Sequence, residues 1–440
     1  MKLIHVFYFL VISALFMSCR EGVLDDILDS IGGEDEPDEE SVSDVYILVQ
    51  SVGGVRNTTV GAPTNGDVEG DVTLINQQGD VLKQWNIPEE LGYDAELQPD
   101  GSLVASLKDP NTAWTFGNYG GIFRRINADN SVEWEASYSD ENYIQHHDME
   151  FLSNGNILFL AWERVSTEDA EKAGFARGHE LYPETIVEMN PMTGEIVWKW
   201  NSMDHIVQDH DSDQHNYGVV ADHPRKININ YNDRSEQIIS TPGVQADIMH
   251  ANALTVDETN RLIYVSANFF NEIWVIDYST TTEEAATSEG GSRGIGGDLL
   301  YRFGNPKAYD NPMGEQRFHR QHYPKLLPSG NLLIYSNRVD VEQSEVVEVA
   351  ISRPFSLMSG QDNEPTVIWS FTNPDLFSAR ASSGVQLENG NIIIGEGEQG
   401  RVWEVNKSGE VLWKSRVSDV LIWRAYAFEK DDPAMKALGL

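Results

Sequence analysis

The sequence predicts an all-β chain: a six-bladed β-propeller with one inter-blade insertion loop and an acidic N-terminal tether. Three observations carry this. A hairpin with a turn glycine recurs along the chain, each copy is followed by a second pair of strands ending near a tryptophan, and an incomplete strand set near the N-terminus is matched by a lone strand near the C-terminus.

Residues 1–19, MKLIHVFYFLVISALFMSC, carry Lys2, a mostly apolar run and Ser18 before Cys19, the pattern of a lipoprotein signal peptide. Cys19 is the single cysteine of the chain, so a lipid on it leaves the mature protein without a thiol for disulfides, metal ligation or thiolate catalysis. Residues 20–45 are acidic and poor in aromatics, which reads as a disordered tether. The expected location is that of an exported lipoprotein, at the outer membrane, the cell surface or the periplasm, with the lipid on Cys19 as its sole membrane attachment. The 70 acidic and 31 basic residues give a formal net charge of -39, which argues against nucleic acid or an anionic membrane surface as partner. A site for an anion then has to create positive potential locally.

Residues 46–430 form the predicted propeller domain. Four segments align on a turn glycine: YDAELQPDGSLVAS from Tyr93, HDMEFLSNGNILFLA from His147, HYPKLLPSGNLLIYS from His322 and SSGVQLENGNIIIGE from Ser382. Asp-Gly, Asn-Gly and Ser-Gly between alternating apolar runs predict tight primed turns, whose positive φ suits Gly and Asn. HANALTVDETNRLIYVS from His250 is a fifth copy with a longer turn. Strand pairs such as IVEMNPMTGEIVWKW and VWEVNKSGEVLWKS follow the hairpins. Four strands per unit, at a spacing of roughly 50 to 70 residues, mark a propeller blade. VYILVQ and VTLINQQGDVLKQWNI supply strands without a complete set, and WRAYAFE is expected to complete that blade and close the ring. Residues 202–246 exceed an ordinary connection and are expected to lie over one face as a lid or rim.

In a propeller the first strand of each blade lines the central channel. Tyr93, His147, His322 and Ser382 each stand eight residues before their turn glycine, which predicts one height on one mouth. His250 lies slightly farther from its turn, with Asn252 two residues on and on the same strand face. Three histidines from three blades thereby converge on one pocket. Imidazole serves as nucleophile, base, acid or metal ligand. A zinc site is disfavoured because the strands stand around a wide channel and Asn252 and Tyr323 suit hydrogen bonding. Asp209, Asp211 and Asp213 have calcium-loop spacing but lack the turn glycine, Gln214 standing there instead. No metal and no cofactor is therefore expected, and no phosphate loop, dinucleotide fingerprint or Gly-x-Ser-x-Gly elbow occurs.

The segments HHDMEFLSNGNIL, MHANAL, EIWVIDYSTTTEEAA, GGDLLYRFGNPKAY and QHYPKLLPSGNLLIYSN, with DHIVQDHD and NYGVVADHP in the insertion, resemble the bacterial arylsulfate sulfotransferases from about residue 75 to 415. The resemblance implies a six-bladed propeller that moves a sulfuryl group from an aryl sulfate donor to a phenolic acceptor through a sulfohistidine, without a nucleotide donor. By motif it implies His322 as nucleophile, His250 and Asn252 as a supporting pair, and His147 as the remaining site histidine, with His146 as the alternative.

Two positions depart from the family pattern. Asn268 stands where the family has an arginine, and Tyr323 where it has an acidic residue. Arg338 is the candidate replacement for the lost charge, which would suit sulfate as a planar donor. Two other functions compete: a propeller polysaccharide lyase, and a non-catalytic surface glycan-binding lipoprotein with Trp162, Trp423 and Tyr426 as sugar platforms.

Overall fold

Runs such as Ile157–Glu163 and Leu262–Ala267 are apolar at nearly every position, a pattern of strands covered on both faces rather than one. In the computed structural model, which describes residues 42–52, 70–114, 117–231 and 246–440, such strands build six four-stranded antiparallel sheets. The signal peptide and nearly all of the tether fall outside the described residues.

Blade 1 runs from its inner to its outer strand as Leu91–Leu97, Leu103–Lys108, Gly121–Ile126 and Val132–Ser137. Blade 2 is Tyr143–Phe151, Ile157–Glu163, Glu184–Met189 and Ile196–Asn201. Blade 3 is Ala251–Asp257, Leu262–Ala267, Glu272–Asp277 and Tyr301–Phe303. Blade 4 is Gln321–Leu326, Leu332–Ser336, Glu345–Ala350 and Thr366–Thr372; blade 5 is Ser383–Gln386, Ile392–Glu396, Arg401–Val405 and Val411–Arg416. Blade 6 takes its inner strand, Leu421–Glu429, from the C-terminal end, and the other three, Val45–Val52, Gly70–Ile75 and Val81–Ile87, from the N-terminal end. WRAYAFE closes the ring as its sequence position predicts, pairing Val45 with Glu429 and Leu48 with Tyr426.

Alternation within each strand sends successive side chains to opposite neighbours. Ile47 and Val49 pack with Ile393 and Val402 of blade 5, whereas Leu48 packs with Leu103 and Ala105 of blade 1. The core is thus a ring of apolar wedges, one between each pair of blades. The hairpin turns differ from the primed type the dipeptides suggest. Gly155 donates to the Leu152 carbonyl at 2.9 Å, Leu152 donates to Asn156 at 2.9 Å, and Gly155 has φ +85° while Asn154 is not left-handed. This is a three-residue loop in which the glycine forms a bulge, repeated at Gly101, Gly330 and Gly390. One extra residue in the loop moves the positive φ wholly onto the glycine.

The described part of the insertion, 202–231, forms a short parallel pair of Ile206–Val207 with Ile227–Asn228, and Ile206, Ile227 and Ile229 enter the wedge between blades 2 and 3. The buried Arg302 guanidinium holds it there, donating to the Lys226 carbonyl at 2.8 Å while pairing with Glu272.

At the axis the six inner strands present free edges. Their N–H groups are met by carboxylates from the preceding blade: Phe151 donates to Glu96 at 2.9 Å, Leu254 to Asp148 at 2.7 Å and Val256 to Glu150 at 3.1 Å. Arg424 of blade 6 reaches across the axis to Asp148 at 2.6 Å and Asp94 at 3.3 Å. Burial, partly opposed by Arg424 and reinforced by Asp148, raises the Asp94 pKa to about 7. Arg424→Met removes the cation from this buried pair of acids. It is expected to lower the unfolding free energy by about 3–5 kcal/mol in denaturant titration; an unchanged midpoint would show that the axis does not depend on it.

Candidate active site

The inner strands do not run regularly into the channel mouth. Pairing with the second strand breaks between Leu91 and Ala95, Gln145 and Met149, Ala251 and Ala253, and His322 and Lys325. Left-handed residues stand at or beside these bulges: Tyr93 (φ 90°), His147 (52°), His250 (51°) and Tyr323 (47°), with Ser382 (90°) at the start of blade 5. Such a conformation costs about 1–2 kcal/mol for a residue with a Cβ. Its effect is to turn two consecutive side chains toward the axis. Tyr93 meets the Trp423 ring while Asp94 meets Arg424, and His147 meets His250 while Asp148 meets Arg424.

His322, His147 and Tyr93 surround the Trp423 indole, with ring centroids 5.8, 5.9 and 5.0 Å from it. His147 and His250 lie edge to face at 4.5 Å. Equal offset from the turn glycine therefore places these side chains together, as read from the sequence. Ser382, at the same offset, instead accepts the Gly397 N–H through its hydroxyl at 2.9 Å.

His322 is buried, and its Nδ1 lies 2.7 Å from the Asn337 side-chain oxygen. The Asn337 amide nitrogen donates to the Ser378 carbonyl at 2.8 Å, which assigns the oxygen to the histidine side. His322 Nδ1 thus carries the proton, and Nε2 keeps its lone pair, met by the Ala381 N–H at 3.2 Å. Burial lowers its pKa to about 3, against the smaller opposing effect of Asn337, so the ring is neutral at ordinary pH.

Behind His147 stands His146. The two Nδ1 atoms are 2.7 Å apart, and His146 Nε2 is 2.9 Å from Glu184 Oε2. Burial lowers the His146 pKa to about 3 and raises that of Glu184 well above the carboxylate range, so their contact is a neutral hydrogen bond rather than an ion pair. Burial likewise holds His147 well below the usual histidine range, helped by its histidine neighbours. His147 Nε2 is buried and has no hydrogen-bond partner among the described residues. His250 is held by Asp247 through Nδ1 and stacks on Phe269 at 4.3 Å, with the Arg320 guanidinium 4.6 Å from the same ring.

Asn252 and Asn268 share one target. Both donate to the Gln321 carbonyl at 2.9 Å, joined by Ser266 at 3.2 Å, and so pin the peptide that leads into His322. The Tyr323 ring has the Arg424 guanidinium 4.5 Å from its centroid, and burial raises its pKa to about 12. Arg338 is about one-third exposed and points to Glu345, 3.9 Å away on the third strand of blade 4. Among the described residues, no group of three or more His, Cys, Asp or Glu is arranged to hold a metal.

Several site residues were not assigned from the sequence: Asn337, Glu184, Asp247, Phe269, Arg320 and the Ala381 N–H. Two had a usable signal. Asn337 directly follows the second strand of the His322 hairpin, where Gln321 pairs with Ser336, and Asp247 precedes His250 by three residues. Glu184 belongs to the third strand of blade 2 and had none.

The family described as Arylsulfotransferase (ASST) matches residues 129–411, 283 of the 440 residues when both ends are counted. No curated protein matches the chain. Solved structures that resemble it include a protein of unknown function from Bacteroides caccae, with 12% identity over 88% of this chain and 99% of that one and a TM-score of 0.46. The periplasmic gluconolactonase PpgL of Pseudomonas aeruginosa has 11% identity over 88% and 99%, with a TM-score of 0.40. The β-propeller domain of Cps50 (Swd1) from Myceliophteria thermophila has 8% identity over 87% and 97%, with a TM-score of 0.39. These likenesses are too distant to bear on chemistry.

The burial of His322 has a consequence for stability. Between the ordinary histidine value near ~6.5 and about 3, the unfolded chain binds a proton at this position that the folded chain does not, so acidification through that window removes stability. His322→Gln is expected to flatten the dependence of unfolding free energy on pH below ~6.5 by up to about 1.4 kcal/mol per pH unit. Parallel slopes for the two proteins would contradict a neutral, buried His322.

Proposed function

The chain belongs to the arylsulfotransferase family, and we propose that it transfers a sulfuryl group from an aryl sulfate to a phenol in two displacements, with His322 as the carrier. The observation that supports this most directly is the neutral His322 ring, whose Nδ1 proton is held by Asn337 and whose Nε2 keeps its lone pair, which accepts the Ala381 N–H at 3.2 Å.

In the first displacement His322 Nε2 attacks sulfur, an N–S bond forms, and the S–O bond to the aryl group breaks with its electron pair going to the phenolic oxygen. His147 Nε2 is the proton donor to that oxygen. The sulfated ring carries a positive charge, which the Asn337 oxygen stabilises through Nδ1–H. The Ala381 N–H, released from Nε2, is placed for a sulfuryl oxygen. The rings of Trp423, Tyr93 and Phe269 offer apolar walls for aryl groups. In the second displacement an acceptor phenol gives its proton to His147, its oxygen attacks sulfur, and the N–S bond breaks with its pair returning to His322. Asn252 and Asn268 act by holding the Gln321 peptide in place. A phenolate, with a pKa near ~10, leaves far more readily than an alkoxide, which restricts both partners to phenols.

Incubation with a chromogenic aryl sulfate is expected to release its phenol in a manner that depends on an added acceptor phenol. Intact-mass spectrometry without acceptor is expected to show one sulfuryl group on the wild type and none on His322→Ala, which is also expected to be inactive. Release independent of acceptor would point to hydrolysis, and an adduct surviving in His322→Ala would place the carrier elsewhere.

The same proposal sets the enzyme at the cell envelope through a lipid on Cys19. Cys19→Ser is expected to move the protein from the membrane fraction to the soluble fraction; an unchanged distribution would rule out the lipid as the tether.

A further inference from the structure

The carrier reading requires a proton for the departing phenol, yet His147, the donor to it, is neutral. His147 and His146 are held well below the histidine range by burial, so neither ring holds the proton as an imidazolium. The proton has to be stored elsewhere and reach His147 without charging either ring.

We propose that Glu184 is that store, and that its proton moves to His146 Nε2 as that of His146 Nδ1 moves to His147 Nδ1, freeing the His147 Nε2 proton in a three-residue relay; this rests on the carrier reading above. Each link is a single hydrogen bond between buried groups, 2.9 Å from Glu184 Oε2 to His146 Nε2 and 2.7 Å from His146 Nδ1 to His147 Nδ1. Glu184 Oε1 accepts the Ala251 N–H at 2.7 Å, and Oε2 is the oxygen turned to His146. Trp162 stacks on His146 at 4.0 Å, with the ring planes 15° apart, and keeps the imidazole in line. The far end of the relay, His147 Nε2, is buried, without a partner among the described residues, and belongs to the histidine ring that faces the Trp423 indole. A row of polar groups kept for packing alone would be expected to end on a satisfied atom.

The proton balance closes. Before transfer the Glu184 carboxyl O–H donates to His146 Nε2, His146 Nδ1–H donates to His147 Nδ1, and His147 Nε2–H is directed at the aryl oxygen. After transfer the phenol carries that Nε2 proton, His147 holds one at Nδ1, His146 holds one at Nε2, and Glu184 is a carboxylate. Three protons have become two, and neither imidazole has been charged. The negative charge that entered with the aryl sulfate now rests on Glu184, while the sulfated His322 is neutral overall. The acceptor phenol restores the first state by the reverse shift. Asp247, Asp148 and His250 face the relay from the neighbouring segments, and Asp247 favours the protonated form of Glu184.

Glu184 and His146 act through His147, so the test must separate proton supply from folding. Single-turnover phenol release is compared for two aryl sulfates, one of a strongly acidic phenol and one of a weakly acidic phenol. Glu184→Gln keeps the shape and a hydrogen bond but carries no transferable proton. It is expected to lower the rate for the weakly acidic phenol relative to the strongly acidic one by about 100- to 10,000-fold. Loss of both rates by one common factor would overturn the relay. Should Glu184→Gln fail to fold, the wild type decides: its rate with the weakly acidic phenol, measured across mixtures of light and heavy water, is expected to curve with isotope fraction, as several protons moving together require. A straight line would overturn the relay. The sulfuryl adduct on wild-type His322 is read in parallel with the strongly acidic donor. Its presence beside an unmoved rate ratio or a straight line overturns the relay alone, and its absence overturns the carrier reading and the relay with it.

Discussion

Six strand edges meet at one axis, and among the described residues no further strand is present there to pair with them. A buried N–H left without an acceptor costs on the order of 1–3 kcal/mol, so the inner strands must find acceptors in side chains. Glu96, Asp148 and Glu150 provide them, each carboxylate reaching the backbone of the next blade. Carboxylates gathered this closely need a counter-charge, and Arg424 supplies it from the strand that closes the ring. Closure of the propeller and electrostatic balance at its axis are therefore one event, because the cation arrives with the last strand.

The bulges at the mouth follow from the same crowding. A regular strand offers every second side chain to the channel, which would allow either the carboxylates or the histidines to face it. A left-handed residue at Tyr93 or His147 turns both neighbours inward, and two stacked layers result. The lower layer, with Asp94, Asp148 and Arg424, holds the blades together. The upper layer, with Tyr93, His147, His250, His322 and Trp423, surrounds the site. Strain at these positions is the cost of placing chemistry directly above a structural clasp.

Burial in the upper layer accounts for the chemistry the site can support. Burial keeps the His146, His147 and His322 rings neutral and the Glu184 carboxyl protonated. A neutral His322 is a nucleophile at any ordinary pH, held in one tautomer by Asn337. The role of Asn268 is also clearer in this setting. Asn268 has its amide on the Gln321 carbonyl beside that of Asn252, so the position holds the backbone that leads into His322.

Much of this was legible in the chain before folding. The turn glycines, the apolar strands and the stranded WRAYAFE segment are local signals, and local backbone preference with burial on two faces is enough to make blades of them. The common offset that joined His147 to His322 is arithmetic on a repeat, and repeats preserve position. What the sequence could not express is anything set by contact between blades. The turn type depended on one residue of loop length, and the tautomer of His322 on an asparagine directly after the next strand. The partner of His146 came from a strand 38 residues away. Sequence alone determined the propeller and the residues that would reach its mouth, since both follow from periodicity along one chain. Only the tertiary structure decided which nitrogen holds a proton and which carbonyl an asparagine meets, because those depend on distances across the axis that no single strand contains.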